Sequence, residues 1–308
     1  MKPASLSRNP CVKQERFGLA VFLMILAVFL FDIQGAIIKH MGSSYPIQQI
    51  AVIRNVFGLI PSVIMLFLSR EWHRTGRSLS VPQWKTAFGR GLVLTFAQFC
   101  LYTSFVKLEF ATASALAFAG PIFITTLSIP ILGHRVSKLQ WTAVIVGFAG
   151  ILMIVRPGSG LFTPWALLPI AAALGYALSS IMVRLIDDDV PSATISLYST
   201  VGAIVGTTTL MAVTSGFIEI ANLEDGLWLM GAGVVGGMAV LLMIMAYRFT
   251  MPSNVSPFEY FGIPFSFIIG WFIFGEAPFD KLFPGALFIL AGGLLIVWRE
   301  RKKLRGAD

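Results

Sequence analysis

Residues 111–133, ATASALAFAGPIFITTLSIPILG, and residues 253–275, SNVSPFEYFGIPFSFIIGWFIFG, are two apolar stretches that align without a gap. The same offset aligns residues 145–155, IVGFAGILMIV, with residues 287–297, LFILAGGLLIV. Identical residues occur at Ser114/Ser256, Gly120/Gly262, Phe123/Phe265, Ile131/Ile273, Gly133/Gly275, Ala149/Ala291, Gly150/Gly292, Leu152/Leu294, Ile154/Ile296 and Val155/Val297. Apolar segments are built from few residue types, so identical residues between them often arise by chance. The absence of gaps over two successive stretches is stronger evidence, and it predicts an internal duplication.

The composition predicts that the repeated unit lies in a membrane. Of the 308 residues, 56% are hydrophobic and only 12% are charged, about half the usual charged share. Apolar stretches of roughly 20 residues recur along the chain, and such stretches must be helical in lipid because no water satisfies their backbone groups. The predicted spans are 17–39, 47–69, 87–107, 111–133, 139–156, 164–186, 191–213, 226–248, 252–274 and 281–298. We therefore expect an all-α integral membrane protein with ten transmembrane helices.

The duplication divides the chain into two units, 17–156 and 164–298, with five spans each. A slightly larger offset aligns the first spans of the two units and places Pro46 on Pro191. Because five is an odd number, the second unit is expected to enter the bilayer inverted relative to the first. Inverted repeats are typical of secondary carriers, whose two similar halves exchange inward-open and outward-open shapes around a central site.

The net charge of +8 is explained by membrane topology. If the amino terminus is cytoplasmic, most basic residues fall on the cytoplasmic side, including those of the basic tails 1–16 and 299–308. The basic residues expected on the other side are Lys39, Lys107, Arg156 and Lys281. This bias follows the positive-inside rule and predicts that both termini are cytoplasmic. It also removes the reason to expect a nucleic-acid partner.

Three stretches resemble the paired EamA domains of the bacterial drug/metabolite transporter superfamily. They are AVIRNVFGLIP at 51–61, GPIFITTLSIPILG at 120–133 and SPFEYFGIPFSFIIGWFIFGE at 256–276, which ends in Gly275 and Glu276. The first unit departs from the pattern, since it has His134 where the second has Glu276. The resemblance implies ten helices, with the first four of each unit lining a cavity and the fifth forming a supporting layer.

Asp32 and Arg54 are ionisable residues within predicted spans, where charge is costly. Asp32 precedes Lys39 by two helical turns and Arg54 follows Pro46 by a similar distance, so we expect the two at the same depth. This placement predicts an Asp32–Arg54 ion pair at the cavity wall. The alternative is that the pair only pins two helices together. Neither residue has a charged counterpart in the other repeat, which argues against a scaffold role.

Glu259 lies in a stripe of small and polar residues, Ser256, Glu259, Gly262, Ser266 and Gly270, at helical spacing. A carboxyl group inside a bilayer can gain and lose a proton during transport. Glu259 is therefore the first candidate for coupling transport to protons, and Asp32 is the second. The alternative is a purely structural carboxylate, or one that is bound to Arg248.

The predicted substrate-binding residues combine these charges with polar and aromatic side chains of neighbouring spans: Asp32, Arg54, Asn55, Gln98, Tyr102, Phe118, Tyr176, Glu259 and Tyr260. A pocket with aromatic walls and uncharged hydrogen-bonding groups suits a flat, partly polar molecule. Taken one by one, the uncharged polar residues are equally explained as hydrogen bonds between helices. We expect no catalytic residues, metal site or cofactor. The glycines of a GxGxxG at Gly231, Gly233 and Gly236 lie inside an apolar span, which excludes a dinucleotide site.

These patterns predict a secondary transporter that moves a small metabolite across the bacterial inner membrane. Residues 31–55, FDIQGAIIKHMGSSYPIQQIAVIRN, resemble branches of the superfamily that include riboflavin and S-adenosylmethionine uptake carriers. The expected solute is a flat vitamin or cofactor such as riboflavin, and the alternatives are an aromatic amino acid and S-adenosylmethionine. Alternatives from other classes are a passive channel and a membrane-embedded enzyme. A monomer and a homodimer are both compatible with the sequence.

Overall fold

The computed structural model describes residues 10–69, 72–73, 79–133, 138–155, 164–187, 189–214, 216–250 and 252–276, with a few positions between 284 and 291. Every regular element within these ranges is helical. Most of the predicted span 281–298, the tail 299–308 and most of the tail 1–16 lie outside the described residues.

In the described part of the first half, the helices of eight or more residues number seven, and some of them are two parts of one predicted span. They are α1 (Pro10–Met41), α2 (Ile47–Phe57), α3 (Leu59–Leu68), α4 (Trp84–Lys107), α5 (Phe110–Ala117), α6 (Gly120–Leu132) and α7 (Lys138–Val155). The span that was predicted at 47–69 is therefore divided into α2 and α3, and the span predicted at 111–133 is divided into α5 and α6.

The second half repeats this order with more irregular helices. Its α-helices are α8 (Leu167–Met182), α9 (Ser192–Thr214), α10 (Leu223–Phe249), α11 (Pro252–Val255) and α12 (Gly262–Ile269). Short 3-10 segments occupy Pro164–Ala166, Val183–Leu185 and Ser256–Phe261, and a π-helical turn occupies Gly270–Phe274.

Five of the helical segments are long and apolar enough to cross a membrane: Phe17–Met41, Ile47–Leu68, Pro164–Leu185, Ser192–Thr214 and Leu223–Phe249. Large apolar side chains such as Phe22, Phe67 and Phe272 are exposed on the outside of the bundle, as expected for surfaces that contact lipid. The predicted class, an all-helical multi-pass membrane protein, is confirmed at this level. Helix α4 is of full spanning length but more polar than these five.

Helices of the first half pack mainly against helices of the second half. Helix α1 packs along α10, while α4 packs against α8 and α9, and α2 and α3 contact both α9 and α10. Each half therefore buries its inward faces against the other half rather than against itself. The consequence is that the space enclosed at the centre has walls from both halves.

Glycines allow these helices to approach until their backbones touch. A Cβ atom on Gly91 of α4 would lie 2.7 Å from the Cα atom of Gly202 of α9. A Cβ atom on Gly237 of α10 would lie 2.7 Å from the Cα atom of Gly58, which joins α2 to α3. Such distances leave no room for a methyl group, so these contacts require glycine. Gly233 and Gly237 are spaced as a GxxxG motif, which permits such close helix packing.

The aligned stretches that reveal the duplication adopt related backbone conformations. The helix is interrupted just before Gly120 in the first half and just before Gly262 in the second. Gly133 and Gly275 then end the two segments with positive φ values of 63° and 65°, the left-handed conformation that commonly terminates helices. Discontinuous helices near the centre of the bundle are a common feature of transporter binding sites.

Replacing Gly237 by alanine is expected to destabilise the bundle by about 1–3 kcal/mol, because the new methyl group overlaps the backbone of Gly58. Gly231 lies on the same helix, and a Cβ atom there would meet nothing within 4 Å. Gly231→Ala is therefore the matched control and should unfold at the temperature of the unchanged protein or slightly above it. Thermal unfolding in detergent measures both, and equal midpoints for the two variants would contradict this packing.

Candidate functional site

A cavity of about 130 Å³ lies between the two halves. Its walls come from α1, α2, α4, α5, α6, α8, α10 and the 3-10 segment that carries Glu259. No described side chain of α7 lines it, as the resemblance implies for a supporting fifth span. The ionisable lining residues are Asp32, Arg54, Arg90, Tyr102, Tyr176 and Glu259, and the aromatic walls are completed by Phe31, Phe105 and Phe118.

Helix α4 supplies the longest wall of the cavity. Its lining residues are Arg90, Leu94, Gln98, Leu101, Tyr102 and Phe105, which recur every three or four positions and so share one helical face. This face extends for roughly 22 Å, at about 1.5 Å per residue. Its polar groups explain why α4 is less apolar than the other long helices.

Arg54 is the centre of a hydrogen-bond network that joins three helices. Its Nη1 donates to Asn55 Oδ1 at 2.7 Å, and its Nη2 donates to Gln34 Oε1 of α1 at 3.2 Å. Gln34 Nε2 donates to the hydroxyl of Tyr102 at 2.8 Å. Asn55 and Gln98 exchange two hydrogen bonds, at 3.0 and 3.2 Å. We call Gln34, Arg54, Asn55, Gln98 and Tyr102 the Arg54 network.

The predicted Asp32–Arg54 ion pair is wrong. The two side chains form no salt bridge, and Asp32 Oδ2 is buried without a hydrogen-bond partner among the described residues. Two residues at a similar depth come into contact only when their side chains also point towards each other around their helix axes. Gln34 lies two residues after Asp32, roughly 200° further around α1, and it is Gln34 that Arg54 contacts.

Arg90 is a cavity residue that the sequence analysis missed. A basic residue near the cytoplasmic end of a span is expected at the membrane surface, yet the side chain of Arg90 is buried and lines the cavity, and its Nε donates to the carbonyl oxygen of Ser179 at 2.9 Å. The signal was present in the predicted span itself, because 87–107 begins before Arg90. Gln34 and Ser114 are further polar lining residues that were not predicted, whereas Ser179 and Ser180 share the lining face of α8 with Tyr176, as their helical spacing predicts.

Glu259 lines the cavity and accepts a hydrogen bond from the hydroxyl of Tyr247. The expected alternative partner, Arg248, instead donates from Nη2 to the carbonyl oxygen of Asp187 at 3.1 Å. Gly120, the break in the equivalent span of the first half, faces Glu259 closely: a Cβ atom there would lie 3.3 Å from Glu259 Oε2. The carboxyl group therefore lies where the broken spans of the two halves meet.

Most of the other predicted binding residues are also at the cavity. Gln98, Tyr102, Phe118 and Tyr176 line it. Asn55 does not; it contacts the cavity only through Arg54 and Gln98. Tyr260 is also absent from the lining, because its ring packs on Gly147 of α7 and its hydroxyl donates to the carbonyl oxygen of Val144 at 3.4 Å. Tyr260 thus packs between two spans, away from the cavity.

An ion pair beside a group of aromatic rings lies next to one end of the cavity. Lys39 Nζ lies 2.8 Å from Glu276 Oε1, and Glu276 Oε2 accepts the backbone N–H of Phe110 at 2.9 Å. The rings of Phe105 and Phe110 are 5.0 Å apart, and those of Phe110 and Phe274 are 5.8 Å apart. Because Phe105 also lines the cavity, this group lies at the cavity's end. We call these five residues the Phe110 plug.

Glu276→Gln is expected to loosen the Phe110 plug, because charge-assisted hydrogen bonds contribute about 1.5–3 kcal/mol each. The measurement uses a cavity cysteine, Ser114→Cys, in a chain whose Cys11 and Cys100 are replaced by alanine. A membrane-impermeant thiol reagent should label it about tenfold faster from the plug side when Glu276 is changed. The control is Glu109→Gln, an exposed acid next to the plug. An unchanged labelling rate would show that the ion pair does not limit access.

Two stretches of the chain, residues 18–156 and 163–298, match the model of a family described as the EamA-like transporter family. A solved crystal structure that shares 16% identical residues superimposes with a TM-score of 0.73, covering 92% of this chain and 98% of its own. At that level of identity the likeness indicates a shared fold.

Curated relatives with low but extensive similarity are named as transporters of small metabolites. The pseudopaline exporter CntI of Pseudomonas aeruginosa is 27% identical over 90% of this chain and 93% of its own length. A riboflavin transporter of Vibrio cholerae is 30% identical over 62% of this chain and 63% of its own. An S-adenosylmethionine uptake transporter of Rickettsia prowazekii is 24% identical over 96% of this chain and 97% of its own.

Proposed function

Because this chain belongs to the EamA-like transporter family, we propose that it is a secondary transporter that carries a small polar metabolite across the bacterial inner membrane. The observation that carries the proposal is the cavity between the two halves, whose walls contain Asp32, Arg54, Arg90 and Glu259. An ionisable side chain costs about 2.5–3.5 kcal/mol to insert at the centre of a bilayer, and such residues usually mark the path of a solute or ion.

The architecture that we propose for this transporter is ten spans in two inverted five-helix repeats, 17–156 and 164–298. The packing supports it, because the first helix of each half lies against the third span of the other: α1 against α10, and α8 against α4. Such reciprocal contacts are expected when a twofold pseudo-axis relates the halves. The excess of basic residues on one side then places both termini, with the basic tails 1–16 and 299–308, in the cytoplasm.

Riboflavin and S-adenosylmethionine are the first substrate candidates, since relatives carry the names of transporters for both. Both are partly flat and partly polar, as the aromatic and hydrogen-bonding lining requires. The third candidate is an aromatic amino acid. The cavity of about 130 Å³ is smaller than the roughly 300–1,000 Å³ of typical ligand pockets. We infer that its walls move apart to admit solute, starting with the Phe110 plug or at the opposite end.

Counterflow in proteoliposomes tests the carrier mechanism. Vesicles that contain the purified protein are loaded with unlabelled riboflavin or S-adenosylmethionine, and a trace of the labelled compound is added outside. A carrier exchanges the two pools, so labelled solute should accumulate transiently above its outside concentration, and the initial rate should saturate. A passive channel would equilibrate the label without this overshoot, and an enzyme would alter the compound chemically. Either result would replace the carrier proposal.

We propose that Glu259 couples transport to protons, because it borders the cavity at the meeting point of the two broken spans. Tyr247 of α10 donates a hydrogen bond to it, and the other charged residues that line the same cavity are Asp32, Arg54 and Arg90. Glu259→Gln keeps the shape and removes the ionisable proton, so it should abolish the dependence of transport rate on pH in the neutral range. Initial rates in proteoliposomes at a series of pH values measure this effect.

The control for the proton-coupling prediction is Glu109→Gln, which changes an exposed acid and should leave the pH profile unaltered. If Glu259→Gln lowers the rate equally at every pH, the residue has a structural role and coupling belongs elsewhere. Asp32 is then the next residue to replace, as the second acid of the cavity.

A further inference from the structure

Four polar atoms in the cavity walls are buried without a hydrogen-bond partner in the described part of the chain. They are Asp32 Oδ2, Arg54 Nε, Arg90 Nη1 and Ser114 Oγ. All four residues are nine-tenths or more buried, with exposed fractions of 6%, 4%, 3% and 4%. Buried polar groups in proteins are nearly always paired, so four exceptions around one cavity require an explanation.

Other polar residues of the same cavity do not share this feature. The side-chain amides of Gln34 and Gln98 and the hydroxyl of Tyr102 have protein partners within the Arg54 network. The protein can therefore satisfy polar groups in this region, and it leaves unsatisfied mainly those that carry or can bind charge. Unpaired charges in a low-dielectric interior are costly unless something else pairs with them.

The unpaired atoms have complementary chemistry. The two guanidinium groups are donors that suit an anion such as a carboxylate, and the carboxylate of Asp32 is an acceptor that suits an ammonium group. The hydroxyl of Ser114 can serve either partner. A solute with one charge would pair with only some of these atoms, and an uncharged solute would leave all the charged ones without a counter-ion.

The three charges also differ in depth. Contacts of Gln34 with Tyr102, and of Lys39 with the carbonyl oxygen of Leu108, indicate that α1 and α4 run side by side in the same direction. Asp32 precedes Gln34, which contacts Arg54, by two residues, or roughly 3 Å along the axis, and Arg90 precedes Tyr102, the partner of Gln34, by twelve residues, or roughly 18 Å. Asp32 thus lies between the levels of the two arginines, so a cation bound there has an anion site on either side.

We propose that the cavity selects a zwitterion of the amino-acid type, with its ammonium group on Asp32 and its carboxylate on Arg54 or Arg90. The assignment rests on the proposed function, since it specifies the solute of that same cavity. Among the substrate candidates it favours S-adenosylmethionine and aromatic amino acids, which carry both groups, over riboflavin, which carries neither charge. Ser114 then completes the hydrogen bonding of the bound solute.

A ligand series on the unchanged protein tests the charge requirement. The probes in the counterflow assay are S-adenosylmethionine, L-tryptophan and riboflavin, together with N-acetyltryptophan and tryptophanamide, which lack the ammonium and the carboxylate respectively. We expect exchange of at least one zwitterion. When tryptophan is the exchanged solute, each of its two derivatives should inhibit the exchange at least about tenfold more weakly than tryptophan itself. For S-adenosylmethionine as the exchanged solute, its N-acetylated derivative serves in the same comparison.

The possible failures separate the inference from the proposed function. Exchange of riboflavin without exchange of either zwitterion would overturn the charge pattern and leave the carrier mechanism standing. Equal exchange of a zwitterion and its singly charged derivative would likewise overturn it. Absence of exchange for all the probes would overturn the charge pattern and also remove the support for these substrates under the proposed function.

Asp32→Asn tests the assignment of the ammonium site. The substitution preserves shape and removes the negative charge, so exchange of the zwitterion should weaken by at least about tenfold. The acetylated derivative should then no longer be discriminated against, a change that a structural role for Asp32 would not produce. Asp189→Asn, in an exposed turn, is the matched control and should preserve discrimination. If Asp32→Asn does not fold, the ligand series on the unchanged protein still decides between the two outcomes.

Discussion

A guanidinium group within a membrane bundle must find all its hydrogen-bond partners inside the protein, and Arg54 meets most of this requirement with side chains from neighbouring helices. Its contacts with Gln34 and Asn55 extend to Gln98 and Tyr102, so that α1, α2 and α4 are held at fixed positions around the cavity. The close approach of α10 at Gly236, where a Cβ atom would lie 2.8 Å from Arg54 Nη2, completes the enclosure. Gln34, Arg54, Gln98 and Tyr102 of this network thereby form part of the cavity wall.

The general architecture could be predicted from the sequence because lipid imposes simple rules. Long apolar stretches had to be helices, and the ungapped alignment of 111–133 with 253–275 indicated a repeat whose equivalence appears again in Gly133 and Gly275. The resemblance to EamA domains is confirmed by the family match. The sequence did not predict the 3-10 segment at Ser256–Phe261 or the π turn at Gly270–Phe274, since such changes of helical type depend on packing and leave little trace in hydropathy.

The sequence predicted which residues line the cavity more accurately than it predicted their contacts. Apart from Asn55 and Tyr260, the predicted binding residues line it, because a polar side chain within an apolar span has few other positions. Positions around the helix axis were not predicted: Asp32 and Arg54 are close in depth, yet the side chain that Arg54 contacts is Gln34. Arg90 was missed for a related reason, since a basic residue near a span end is usually assigned to the interface although its side chain here is buried.

The breaks before Gly120 and Gly262 occur at equivalent positions of the two repeats and lie against each other beside the cavity, since a Cβ atom on Gly262 would overlap the ring of Phe118. A bend at either position displaces the half-span beyond it, and the repeat relationship makes the two bends similar in geometry. Paired hinges of similar geometry allow two related shapes, so the hinges by themselves impose no direction on transport. The direction is then set by the gradients of the solute and of any coupled proton, which is compatible with a family whose members are named both as exporters and as uptake systems.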